Sequence, residues 1–219
     1  MRFNLSQSLP SLRTSATSLA VAERAADAAE PASLRSEFAE QFRLLALNII
    51  SLIGDEADRS LAVFSINPGD GRSLIATNLS LALTAHSDVV LVGNGSLSGV
   101  HKQLLDPFEI GDGERALVPK KTAEDELHRL WLLRAKASSI TIADHLVPAE
   151  IETSGDTKFL IVDAPPASRS AEAFALAQKC RNVLYVMPKG ITDLEPHRRA
   201  LEQLERLHTR VVGIVLNEN

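Results

Sequence analysis

Short, uninterrupted apolar runs recur along this chain, each separated from the next by a helix-length segment, and few folds accommodate that pattern. The runs are Leu61–Ile66, Asp88–Val92, Leu130–Ala135, Lys158–Asp163, Asn182–Met187 and Arg210–Leu216. A strand with one wet face alternates apolar and polar residues. These runs do not, so both of their faces must be covered. Between them lie Ser73–Ala85, Ile140–Ile151, Ser170–Cys180 and Glu195–Leu207, whose apolar residues recur at helical spacing. Parallel strands joined by right-handed helical crossovers satisfy both facts. The pattern predicts an α/β fold: a three-layer, doubly wound, mostly parallel sheet.

A further helix precedes the first run, because Phe38, Phe42, Leu45, Ile49 and Leu52 share one face. Upstream of it, residues 1–33 are rich in Ser and Ala and read as a disordered arm. Residues 34–219 form a single domain. The chain is 45% hydrophobic, enough for a real core, with a net charge of -5 that speaks against nucleic acid as a partner. The single cysteine, Cys180, excludes an internal disulfide and suits a reducing cytoplasm, and it reads as a small helix residue. No apolar run reaches the roughly 20 residues that cross a bilayer.

Ligands of doubly wound folds bind at the carboxyl ends of the strands. At the first of these ends stands Ser65-Ile-Asn-Pro-Gly-Asp-Gly-Arg-Ser73, leading into a helix. A strand, a Gly-rich turn and a helix N-terminus together make a P-loop, whose backbone N–H groups wrap a phosphate. Gly69 and Gly71 permit that wrap, and Ser73 stands where a Mg²⁺-binding hydroxyl belongs. Arg72 occupies the position of the usual Lys, keeping the charge on a longer, planar group. The same segment also fits a plain strand-to-helix turn with no ligand. Asp163 ends a buried run, in the place of a Walker B carboxylate that holds Mg²⁺ directly or through water, or of a cap for the turn that follows.

In order, the chain carries Glu40-x-Phe42-Arg43, the Asn67-Pro-Gly-Asp-Gly-Arg-Ser73 loop, Val89-Val-Leu-Val-Gly-Asn-Gly95, Phe159-Leu-Ile-Val-Asp-Ala-Pro-Pro166 and Val212-Gly-Ile-Val-Leu-Asn217. From about residue 36 onward this resembles the bacterial tyrosine kinase (BY-kinase) domain of capsule and exopolysaccharide systems, within the MinD/ParA-like group of P-loop ATPases. The resemblance implies a nucleotide site of Gly69, Asp70, Gly71, Arg72, Ser73, Leu74 and Asn217, with Asn217 near the adenine. It implies Asp163 as the catalytic acid of an active member, Mg²⁺ on Ser73 and Asp163, and ring assembly through Glu40 and Arg43. Glu172 matches an acid after the Pro-Pro turn, and His101 a family histidine that otherwise reads as a surface residue.

Departures from the family are concentrated at the chemistry. Gly93 and Gly95 stand where the family has the two acids of an Asp-x-Asp segment, and Ala46 replaces the second Arg of the helix motif. No tyrosine cluster follows Asn217, and the sole tyrosine, Tyr185, lies in a core run. Phosphoryl transfer depends on positioned charge and metal ligands. The expected function is therefore that of a degenerate, regulatory BY-kinase-like protein in exopolysaccharide assembly, holding ATP or ADP and Mg²⁺ weakly or not at all. Its expected partner is a membrane chain-length (co-polymerase) protein that draws a cytoplasmic chain to the inner membrane. The alternatives are an active MinD/ParA-type ATPase or tyrosine kinase, and an interaction module without a nucleotide pocket.

Overall fold

The computed structural model describes residues 32–54, 59–94 and 159–218, together with short strands at 2–4, 17–18, 108–110, 117–119 and 130–135. Its main sheet has eight strands in the order β2-β1-β10-β9-β3-β8-β4-β7. These are β1 (Arg2–Asn4), β2 (Thr17–Ser18), β3 (Ser60–Phe64), β4 (Val89–Asn94), β7 (Leu130–Ala135), β8 (Phe159–Asp163), β9 (Asn182–Pro188) and β10 (Arg210–Asn217). From β10 across to β7 every neighbouring pair is parallel. The apolar runs therefore became the parallel strands they predict. Residues 93–126 contribute the end of β4 and a separate antiparallel pair, β5 (Phe108–Ile110) with β6 (Leu117–Pro119). The helix expected over 140–151 lies outside the described residues.

Each central strand feeds two cores, because successive side chains point to opposite faces. In β3, Leu61 and Val63 join one cluster and Ala62 and Phe64 the other, all fully buried. The first cluster is covered by α1 (Ala32–Ile53), through Phe42, Leu45, Ile49 and Ile53, and by α2 (Arg72–Leu83), through Ile75, Leu79 and Leu83. The second is covered by α3 (Glu172–Cys180), through Ala173, Leu176, Ala177 and Cys180, and by α4 (Glu195–Arg206), through Ala200 and Leu204. This is the three-layer arrangement. Burying each large apolar side chain contributes about 1.5–3 kcal/mol, which is why mostly aliphatic layers suffice. Cys180 is buried in this core at the end of α3, as a small helix residue, and its carbonyl accepts a hydrogen bond from Ser60 Oγ at 2.9 Å.

The amino-terminal residues depart from the expected arm. Arg2–Asn4 pairs antiparallel with β10, Arg2 opposite Leu216, and Thr17–Ser18 pairs in turn with β1. An outer strand left bare exposes a row of unpaired N–H and C=O groups, and pairing with β1 satisfies part of that row on β10. No helix among the described residues is long and apolar enough to cross a membrane.

Phe64 is the aromatic pivot of the second core, with ring centroids 5.1 Å from Phe174 and 5.5 Å from Tyr185. Phe64→Ala should lower the unfolding free energy by about 3–5 kcal/mol in urea titrations. Leu47→Ala, at a residue 49% exposed on α1, should change it by less than about 0.5 kcal/mol.

Candidate functional site

Parallel pairing brings the carboxyl ends of β3, β4, β8, β9 and β10 to one edge of the sheet. Val63 on β3 and Gly93 on β4 flank Asp163 at the end of β8, both in register with it. The Gly-rich loop leaves β3 at this edge and enters α2 at Arg72.

The loop has the shape that the glycines imply. Gly69 and Gly71 take φ of 87° and 86°, a region that disfavours side chains. Between them Asp70 is buried, and its Oδ2 accepts the Asn67 N–H at 2.7 Å, closing the loop on itself. The Asp70 carbonyl accepts a hydrogen bond from Asn217 Nδ2 at 3.2 Å. Asn217, only 1% exposed, is therefore a clamp from the end of β10 onto the loop. α2 begins at Gly71 with no side-chain cap. An uncapped helix start with a glycine-bent approach has the N–H donors and the positive dipole end that suit a phosphate. Leu74 lies in the first turn of α2, half-buried.

Arg72 turns inward, its side chain 12% exposed, and donates from Nε to Asp163 Oδ1 at 2.7 Å and from Nη1 to Ser65 Oγ at 2.9 Å. Ser73 Oγ donates to the other carboxylate oxygen, Oδ2, at 2.5 Å. Both oxygens of Asp163 are thus engaged by the loop, and its charge is matched by a buried guanidinium. Removing one partner of such a pair costs about 3–5 kcal/mol, because the other charge is left buried and uncompensated. Ser73 and Asp163 are the residues expected to hold Mg²⁺. A hard divalent cation takes several oxygen ligands. The side-chain donors gathered here are one hydroxyl and one carboxylate already paired with a cation, while Gly93 beside it has no side chain to offer. Among the described residues there is no group of three or more His, Cys, Asp or Glu that could hold a metal. Ser73 and Asp163 are the loop hydroxyl and strand-end acid that a P-loop offers a divalent cation, and here they are tied to each other and to Arg72.

Elsewhere on the expected list, Glu40 and Arg43 pair with each other at 2.8 Å on the exposed side of α1, and Ala46 is fully buried. Glu172 opens α3, and its N–H is held by Ser170 Oγ at 3.2 Å. Gly95 and His101 lie outside the described residues.

One cluster beneath the loop had only a weak sequence signal. Tyr185 OH and His197 Nδ1 share a hydrogen bond at 3.0 Å, buried between β9 and α4. His197 falls on the same helical face as Ala200 and Leu204, and that spacing alone marks it as inward-facing. Burial pushes the His197 pKa down and, despite the Asn67 N–H, pushes that of Asp70 up. Burial and the nearby Asp70 charge both raise the Tyr185 phenol.

No family model matches the chain. The tyrosine-protein kinase YwqD of Bacillus subtilis is 26% identical over 206 residues, covering 86% of this chain and 83% of that protein. The chain is a homologue of the bacterial tyrosine kinases. The succinoglycan biosynthesis transport protein ExoP of Rhizobium meliloti is 24% identical over 198 residues, covering 84% of this chain but a quarter (25%) of ExoP. The kinase domain of the Escherichia coli tyrosine kinase ETK superposes with a TM-score of 0.61 at 16% identity, over 83% of this chain and 76% of that one. The P-loop NTPase-like fold of the bacterial tyrosine kinases is thereby this chain's fold.

A Cβ at Gly71 would collide with the Asn217 amide, whereas one at Gly69 meets nothing within 4 Å. Gly69→Ala should therefore cost only the left-handed backbone strain, about 1–2 kcal/mol. Gly71→Ala should cost more, and Asn217→Ala should relieve part of the excess in a double-mutant cycle read by denaturant unfolding. The histidine supplies a pH test. A base whose folded pKa is depressed binds its proton better when unfolded, so its contribution is present at neutral pH and is lost as pH falls through the ordinary value of 6.5. Asp70, raised, acts with the opposite sign and nearer the carboxylate range. The melting temperature should drop between about pH 7.5 and about pH 5.5, and His197→Gln should flatten that drop.

Proposed function

We propose that the chain is a nucleotide-holding BY-kinase homologue that works as a regulatory or assembly factor in exopolysaccharide production, with little or no phosphoryl transfer of its own. The observation that carries this reading is the Arg72–Asp163 ion pair. Transfer of a phosphoryl group needs a cation-bearing loop, a metal and acids to hold that metal. Here the loop cation is spent on the strand-end acid, and β4 presents Gly93 in register with Asp163 rather than a second carboxylate. The phosphate-wrapping backbone is nonetheless intact, with both glycines in the left-handed region. That combination supports holding ADP or ATP over turning it over, at a site built by Gly69 to Leu74 with Asn217 as the loop's clamp.

The biological setting is read from the relatives: two kinds of tyrosine-protein kinase and a succinoglycan biosynthesis transport protein. A membrane polysaccharide co-polymerase is the partner this supports, with the exposed Glu40–Arg43 face of α1 as a surface for self-association. The active alternative, a kinase or ATPase, is favoured by the Ser73–Asp163 hydrogen bond, since a working site joins the loop hydroxyl and the strand-end acid in the same way.

Incubation with radiolabelled ATP, Mg²⁺ and a tyrosine-containing polymer separates the two. Label transfer should not exceed that of Asp163→Ala, while ADP at about 100 times its Kd should raise stability by about 2.7 kcal/mol. Transfer that depends on Asp163 would establish the active alternative instead. Unchanged melting with every adenine nucleotide would leave an interaction module without a pocket.

A further inference from the structure

We propose that Arg72 is the built-in counter-cation of this site, so that the chain takes nucleoside di- or triphosphates free of divalent metal. The inference rests on the nucleotide-holding reading above and concerns the form of the ligand.

Two positions argue for it together. A guanidinium carries five N–H donors in a planar fork. Arg72 commits Nε to Asp163 and Nη1 to Ser65, which carries it from the start of α2 to the end of β8 and to the residue that follows β3, and leaves further donors for a phosphate oxygen. Guanidinium and phosphate match geometrically and form strong charge-assisted bonds. Meanwhile the neighbouring strand end carries Gly93, around whose missing Cβ nothing lies within 4 Å. Among the described residues a metal entering there would find one carboxylate at the strand ends, Asp163, would have to displace Arg72 from it, and would then face the displaced guanidinium at close range as a like charge. A phosphate oxygen meets no such conflict, because it accepts from the guanidinium N–H groups that Asp163 and Ser65 leave over.

The charge balance points the same way. Asp163 is already paired to Arg72, whereas sites that recruit Mg²⁺ do so with carboxylates free to coordinate it. Free ADP and ATP carry more negative charge than their Mg²⁺ complexes and so accept more strongly from the guanidinium donors of Arg72. Arg72 is thereby a specificity-determining residue, selecting the ligand by its metal state.

Calorimetric titration of the full chain with ADP, once in EDTA and once in excess Mg²⁺, tests this directly. The expected result is an affinity in EDTA that equals that in Mg²⁺ within about threefold or exceeds it. Arg72→Gln should lose at least about tenfold in EDTA, by removing the guanidinium donors. Binding seen only with Mg²⁺ overturns the inference and leaves the nucleotide-holding reading standing. Absence of ADP binding in both buffers overturns both. Should Arg72→Gln fail to fold, electron paramagnetic resonance of Mn²⁺ with the unmodified chain and ADP decides. A free-ion signal no lower than with ADP alone supports the proposal, and depletion of that signal by the protein overturns it.

Discussion

A parallel sheet has no face to spare for water, and the rest of this molecule follows from that constraint. Each strand buries residues on both sides, so helices must lie above and below, and every crossover returns the chain to the same end before the next strand begins. The carboxyl ends of β3, β4, β8, β9 and β10 consequently share one edge. The Gly-rich loop, Asp163, Gly93 and Asn217 meet there because of the sheet's direction, not because of any attraction among them. The two cores that enforce this are mostly aliphatic, relieved by Phe42, Phe64, Phe159 and Tyr185.

At that edge a second layer of organisation is polar. The loop is fastened from three directions: by its own Asp70 to the Asn67 N–H, by Asn217 from β10, and by Arg72 and Ser73 to Asp163 on β8. A loop held this firmly is preorganised, which favours binding by reducing the ordering it must undergo. The same fastening engages Arg72, Ser73 and Asp163 with one another. Arg72 and Asp163 are therefore a structural brace that ties the loop to the end of β8.

Most of the architecture was legible in the sequence, since apolar runs and helical spacing are local signals. The strands at 61–66, 88–92, 130–135, 158–163, 182–187 and 210–216 all have counterparts, and the cover of α1 on one face follows from Phe42, Leu45 and Ile49. The glycine conformations were legible too, because a left-handed φ at Gly69 and Gly71 is a property of the residues and the turn. The pairing of Arg2–Asn4 with β10 was not. Three residues in a Ser- and Ala-rich stretch carry no periodic signal, and their place depends on an edge more than 200 residues away, at Leu216.

The site divides along the same line. Sequence by itself determined that a Gly-rich loop follows a buried strand, that its cation is an arginine, and that glycines stand at 93 and 95. It could not say what that arginine does. Arg72 and Asp163 are 91 positions apart, and Asp70 and Asn217 are 147 apart. Nor could the burial of His197 against Tyr185 be assigned from spacing alone, since the partner lies on another element. Only the tertiary structure decided these, because a side chain's partner is set by where the sheet brings distant strand ends together, while its local conformation is set by its neighbours along the chain.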